Sequence, residues 1–358
     1  MKDQSKEIIV IGAGIVGASI AYHLTRRGVE VAILDKTGPA SEATGKSFAW
    51  INANEVTDDA YHRLRYQSLS EYHRLDRELG GGLGVQWGGA LCFDADRDVL
   101  DARLARFHTL GYPVEAVSHN QFRDLEPNYE KAPTYALRLA LDGCIEPVRA
   151  TTALIDAATA LGARTIYGAK VRGLLRDGNR LIGVNTDSGQ LDARSVVLAA
   201  GTGAADLLAD IGIDLPVENK PGIMLHSKVV DPVLNHVIWG DRIHIKQQDD
   251  GRLIIGEIFS DEKTGKDQTA IAEAMLAEAR ACLPEVDIDI ERTTIGMRPM
   301  PKDGMPIIGH LDGINDLYVA VTHSGITLAP IIGRMSSVEI VDDVRFDALS
   351  PYRPGRFS

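Results

Sequence analysis

"IIVIGAGIVGASIAYHLTRRGVEVAILDK", residues 8–36, decides the fold. Ile8 to Ile11 is an unbroken β-branched run, the composition of a strand buried on both faces of a parallel sheet. Gly12, Gly14 and Gly17 follow as G-x-G-x-x-G. Ala18 to Arg27 reads as a helix stopped by Gly28, and "VEVAILDK" as a second strand ending in Asp35. The spacing has a physical logic. Gly12 permits a tight turn, Gly14 lets backbone approach a pyrophosphate, and Gly17 lets helix and strand pack closely, with the helix N-terminus facing the phosphates. Asp35, 18 residues beyond Gly17, is placed to accept hydrogen bonds from a ribose hydroxyl. A lone G-x-G-x-x-G is a weak signal. Framed by strand, helix and terminal acid in one unit of about 30 residues, it points to a dinucleotide.

The whole chain has 358 residues, 44% hydrophobic and 25% charged, enough for two domains with substantial cores. A formal net charge of -12 and the lack of any basic run exclude a general nucleic-acid binder, which must neutralise many phosphates. Cys92, Cys144 and Cys282 lie far apart with no C-x-x-C, so they read as reduced thiols rather than a disulfide frame or metal site. No apolar run approaches the roughly 20 residues of a membrane span, and the polar "MKDQSKE" lacks the pattern of a signal peptide. The expectation is a cytoplasmic protein with no transmembrane segment and no nucleic-acid partner. Its oligomeric state is left open, a homo-oligomer included.

Three further stretches separate one dinucleotide from another. "GPASEATGKSFAWIN" (38–52) is rich in small and hydroxyl residues that bring donors to a diphosphate or a flavin edge, unless it is merely a polar loop. "ARSVVLAAGTGA" (193–204) holds a buried strand, Val196 to Ala200, ending in Gly201-Thr202-Gly203. "GMRPMPKDGMPIIGHL" precedes a strand "DLYVAVT" and the loop "HSGITLAP", with a helix expected from near Leu328. Strand-ending glycine loops at three distant points suit one extended cofactor, FAD better than NAD.

With "DGCIEPVRATTALIDAATALGARTIYGAKVRGLL" and "GRLIIGE", these stretches follow the order found in the D-amino-acid oxidase-like flavoproteins. The sequence resembles that family's glycine oxidase and sarcosine oxidase branch over nearly its whole length. The resemblance implies an α/β fold with an α+β second domain. A discontinuous Rossmann-like FAD-binding domain (1–85, 143–217 and 296–358) would interleave with an antiparallel-sheet substrate-binding domain (86–142 and 218–295). Local signals agree: "GGGLG" (80–84) looks like a flexible crossing point, and the prolines of "LPVENKPGIML" (215–225) fall where the chain would leave the sheet. "HIKQQDDGRLIIGE" reads as a hairpin, and "AIAEAMLAEARACLPE" (270–285) as a helix packed on it.

The resemblance also implies the site. FAD, without covalent attachment, would touch Gly12, Gly14, Ile15, Val16, Gly17, Asp35, Lys36, Ser41, Thr44, Gly45, Lys46, Ser47, Val171, Ala200, Gly201, Arg298, His323, Ser324, Gly325, Ile326 and Thr327. Arg298 matches the family's carboxylate-binding arginine, a fork suited to two parallel hydrogen bonds; structurally it could instead pair with backbone. His244 stands where a substrate-facing tyrosine would be. It and His323 are the candidate bases near neutral pH. Phe259 falls beside the flavin, Glu257 is unusual after "LIIG", and His226 and Trp239 are weaker candidates. The loop at His323 is two residues shorter than in glycine oxidase and lacks its arginine, so a second anion anchor is absent or comes from elsewhere. Ile254 or a neighbour stands where sarcosine oxidases carry an oxygen-activating lysine, and Lys46 could supply a charge from the other side. The reading is oxidation of a small amino acid or secondary amine, with oxygen or another acceptor taking the electrons. A hydroxy-acid dehydrogenase and a flavin-binding subunit without catalysis are the alternatives.

Overall fold

The computed structural model describes residues 7–54, 57–257 and 268–357. Its first sheet has six strands in the order Ile307–His310, Leu317–Val321, Ser195–Leu198, Ile8–Ile11, Val31–Asp35, Arg164–Tyr167. All neighbours are parallel except the first pair. The unbroken apolar runs are explained by burial on both faces. Ile8, Val10, Val31 and Ile33 pack under the helices Ile15–Arg26 and Pro147–Ala160, while Ile9, Ile11, Ala32 and Leu34 pack against a three-stranded sheet, Val171–Asp177, Arg180–Thr186 and Gly189–Asp192. Period-2 alternation thus sorts one strand's side chains between two cores.

The second sheet has eight strands in the order Ile290–Pro301, Val217–Val229, Arg252–Glu257, Ile243–Gln247, Val237–Trp239, Ala90–Cys92, Tyr135–Leu139, Val114–Ser118. It is antiparallel apart from the Val237–Trp239 and Ala90–Cys92 pair. The expected hairpin is its centre, and the helix Gln268–Cys282 buries Met275, Ala279 and Cys282 against its Ile223, Leu253 and Ile255.

Several expectations are corrected. The first helix begins at Ile15, not Ala18, and the last runs Gly325–Asp342, three residues earlier than Leu328. Pro221 does not end a sheet: it lies inside the strand Val217–Val229. That strand pairs with Arg252–Glu257 only from Met224 onward, so Pro221 sits where one edge is unpaired and no donor is required. "GGGLG" is a hydrogen-bonded turn, Gly81 N–H donating to Asp76 O at 2.8 Å and Leu83 N–H to Asp76 Oδ1 at 3.0 Å.

The glycine spacing of the opening motif is set by contact. A Cβ on Gly17 would stand 2.0 Å from Gly12 O, and one on Gly12, at φ +111°, 2.4 Å from Ala199 O. An exposed helical Gly→Ala change normally gains up to about 1 kcal/mol. Here overpacking dominates, so Gly17→Ala is expected to lower the unfolding free energy by about 1–3 kcal/mol in urea titration. A gain in stability would contradict this packing.

The core also holds uncharged histidines. Burial pushes His23, His226 and His244 down to about 4 from 6.5. His23 shows the matching geometry: its Nδ1 meets Ser19 O at 2.8 Å, and Arg74 donates to Nε2 at 3.1 Å. In the unfolded chain these groups protonate near 6.5, so between 6.5 and 4 the unfolded state binds more protons. The histidines' contribution to stability should be level above pH 7 and fall as pH drops through that window, by about 3 kcal/mol per histidine at its foot, outweighing the opposite effect of buried Asp142, raised to about 7. A urea midpoint unchanged between pH 7.5 and pH 5 would refute the neutral burial.

Candidate active site

The two sheets share one cavity of about 970 Å³, large for a small-molecule site. Part of its wall is Gly12, Gly14, Ile15, Val16, Asp35 and Lys36, the turn and second strand of the opening motif. Another part is Met224, Trp239, His244, Glu257 and Arg298, side chains of the eight-stranded sheet. Ser41, Thr44, Lys46, Ser47, Val171, Ala200, Gly201 and the loop His323 to Thr327, all expected from the sequence, line it as well. The three distant glycine loops therefore converge on one space. Gly17 and Gly45 stay behind the wall; a Cβ on Gly45 would stand 2.3 Å from Ala40 O, so it is needed for the bend. Phe259 lies outside the described residues.

The nucleotide part suits a dinucleotide in its chemistry. The helix Ile15–Arg26 carries no acid in its first turn, and its N-cap, Gly14, offers bare backbone to the cavity. Asp35 Oδ2 accepts from Ala13 N–H at 2.9 Å, and Oδ1 from Thr37 and Gly38 N–H at 2.8 and 3.0 Å. A carboxylate has about four acceptor positions, so this bracing leaves capacity for a ribose hydroxyl. Lys46 lines the cavity, but its Nζ pairs with Glu42 at 3.3 Å, and Glu42 also holds Lys36 at 2.8 Å.

A second helix N-terminus reaches the cavity at Ser324 and Gly325, again with no acid in its first turn. Its start is fastened from outside. Pro330 has no N–H to give Ile326 O, four residues back, and that carbonyl accepts instead from Tyr72 Oη at 2.5 Å. Ser68 Oγ donates to Thr327 O at 2.6 Å, and Thr327 Oγ1 donates to Trp50 O at 3.2 Å while accepting from Asn52 N–H at 3.3 Å. The loop is thereby held against the segment 50–52, with its dipole favouring negative charge in the cavity.

On the sheet side, Arg298 Nε donates to Lys220 O at 3.4 Å and Nη2 to Pro221 O, the carbonyls of the half-paired strand. The guanidinium lies over Gly222, where a Cβ would stand 3.1 Å from Nε. Burial lowers Arg298 to about 10, with Glu257 acting the other way, so it is a cation at neutral pH. Phe48, Trp50 and Trp239 surround His244 with ring centroids at 5.8, 6.1 and 5.9 Å. This apolar packing is why burial brings His244 to about 4; His323 reaches about 4 through burial first, then Arg298 and Arg65. Burial thus favours the uncharged form of both imidazoles. Trp239 and Glu257 line the cavity; His226 does not, and bonds Thr294 Oγ1 at 3.0 Å.

The sequence reading missed three features. Arg65, on the helix Asp59–Glu78, puts a further guanidinium in the cavity wall. Its spacing looks like that of any polar helix face, so no local pattern marks it. Asn52 and Tyr61 stand beside it on the same wall. Lys246 is the cross-strand partner of Ile254, the position read as lacking a lysine. It is 1% exposed, donates to Ala49 O at 3.4 Å and Ile145 O at 3.0 Å, and lies 5.5 Å from the Phe48 ring centroid. It does not line the cavity.

Known proteins match this architecture. The family model described as FAD dependent oxidoreductase matches residues 7–337. The hydrogen cyanide synthase subunit HcnC of Pseudomonas aeruginosa is 26% identical over 99% of this chain and 97% of its own length. Glycine oxidase of the same organism is 27% identical over 92% of this chain and 93% of its own. The crystal structure of L-proline dehydrogenase from P. horikoshii superposes with a TM-score of 0.89 at 24% identity, covering 99% and 98% of the two chains. No helix among the described residues is long and apolar enough to cross a membrane. The three cysteines are buried and none lines the cavity, in keeping with a non-covalent cofactor. The chain belongs to the family of FAD-dependent oxidoreductases named DAO, and is an enzyme with FAD as its cofactor.

Proposed function

We propose that this enzyme oxidises a small amino acid or secondary amine, N-substituted or of D configuration, to the imine. One observation carries the reading: a guanidinium locked over Gly222 beside an apolar, histidine-containing wall in the cavity that gathers the FAD-binding elements. Relatives named glycine oxidase and L-proline dehydrogenase support it. When bound, FAD supplies the acceptor, at ring N5, for the hydride leaving the carbon next to nitrogen.

The chain's own residues do the rest. Bonds from Arg298 to the carbonyls of Lys220 and Pro221 fix the plane of its fork before a carboxylate arrives, so little side-chain entropy remains to be lost. Phe48, Trp50, Met224 and Trp239 exclude water from the reacting carbon, which strengthens that ion contact. His244, uncharged, serves as a hydrogen-bonding group beside the substrate. An amine delivered neutral needs no strong base, because its lone pair drives hydride loss. An alcohol would need its proton removed, and imidazoles at about 4 are poor at that. The electron acceptor that reoxidises the flavin is oxygen or another carrier.

Anaerobic mixing of the yellow enzyme with amino acids, N-methyl amino acids and hydroxy acids tests the reading. Bleaching is expected with a member of the first two classes, and Arg298→Met should reduce its kcat/KM by about 100-fold or more through loss of a desolvated charge pair. Bleaching by hydroxy acids alone would contradict the proposal.

A further inference from the structure

We propose that Arg65 is a second carboxylate anchor, and that this site takes amines bearing two carboxylate groups. The inference rests on the reading of Arg298 as the first anchor. Arg65 is 8% exposed and sits in the cavity wall with Asn52 and Tyr61. Its Nε donates to Asn52 O at 3.1 Å, its Nη2 donates to Asn52 Oδ1, and its guanidinium carbon lies 5.4 Å from the Tyr61 ring centroid. These partners are neutral. They hold the guanidinium in place without cancelling its charge, which is costly for a buried cation unless an anion completes the site.

Asp142, on which Arg65 acts, is engaged within the core instead, where it accepts from Tyr112 Oη at 2.5 Å. Burial pushes Asp142 up to about 7, against the hydrogen bond from Tyr112. Both guanidiniums line the cavity that also holds the loop His323 to Thr327, and Asn52, which Arg65 grips, donates its backbone N–H to Thr327 Oγ1 of that loop at 3.3 Å. Glu257 adds a carboxylate there: it is 7% exposed, accepts from Ile223 N–H at 3.3 Å, and acts on Arg298. With His244 and His323 neutral, this region presents two guanidiniums and one carboxylate. The complementary ligand has two carboxylates, one for each guanidinium, and a neutral amine whose N–H can donate to the Glu257 carboxylate. A purely structural Arg65 would stitch Asn52 to its helix and show no preference among ligands.

Unreactive ligands separate the two roles. The FAD-loaded wild-type enzyme is titrated with propionate and with succinate at matched ionic strength, and binding is read from the shift in the flavin absorbance spectrum. Succinate is expected to bind about 10- to 100-fold more tightly, the worth of one added charge-assisted contact. Arg65→Gln should bring succinate down to the level of propionate, with Arg65→Lys restoring part of the difference. Equal affinities in the wild type overturn the inference, and so does a succinate preference that persists in Arg65→Gln protein carrying full FAD. Should Arg65→Gln fail to load FAD, the wild-type comparison decides alone. Propionate binding that depends on Arg298, with no advantage for succinate, removes the second anchor and leaves the first. No binding of either ligand contradicts both.

Discussion

The cavity exists because the eight-stranded sheet seats its glycines directly on the segment that follows the second parallel strand. A Cβ on Gly296 would stand 2.9 Å from Lys46 O, and one on Gly256 3.3 Å from the Phe48 ring. Lys246 completes the seam from below, its ammonium spanning the carbonyls of Ala49 and Ile145. Ala49 is held at φ +57°, a conformation that a non-glycine residue keeps only when its surroundings enforce it. Burial lowers the Lys246 proton affinity, and two carbonyl acceptors with an aromatic face offset that cost. His244 lies two residues away on the same face of this strand, so the contact that fixes the seam also aims a cavity residue.

Electrostatics then divides the space. Two helix N-termini without acids in their first turns, with Lys36 and Lys46 braced by Glu42, make one part of the wall hospitable to anions. The sheet side is aromatic and carries few charges, Arg298 and Glu257, each bonded to the backbone of the strand Val217–Val229. Fixed dipoles and charges in an apolar surround act more strongly than the same groups in water. The histidines take the opposite course and give up their charge, leaving binding to the guanidiniums.

The parallel sheet and its glycine turn were readable from the first 36 residues, because a buried parallel strand and a close backbone approach restrict residue choice at adjacent positions. The hairpin at Asp249-Asp250-Gly251 was legible for the same local reason. Pro221 misled because its tolerance depends on which neighbour strand is absent, a fact of tertiary pairing. The last helix was placed late because Pro330 hides its first turn, and only Tyr72, from a distant helix, repairs the lost bond. Arg65 and Lys246 were invisible for a related reason: each gains meaning from partners far along the chain, Arg65 from the sheet side of a shared cavity and Lys246 from Ala49 and Ile145.

The central claim is that the glycine-lined turns and the Arg298 side of the sheet serve one ligand complex. A crystal structure of the FAD-loaded enzyme with bound succinate tests it most directly. The account predicts the isoalloxazine against the sheet-side wall, with a carboxylate within hydrogen-bonding distance of the Arg298 guanidinium. FAD bound outside this cavity, or a carboxylate that avoids Arg298, would contradict it.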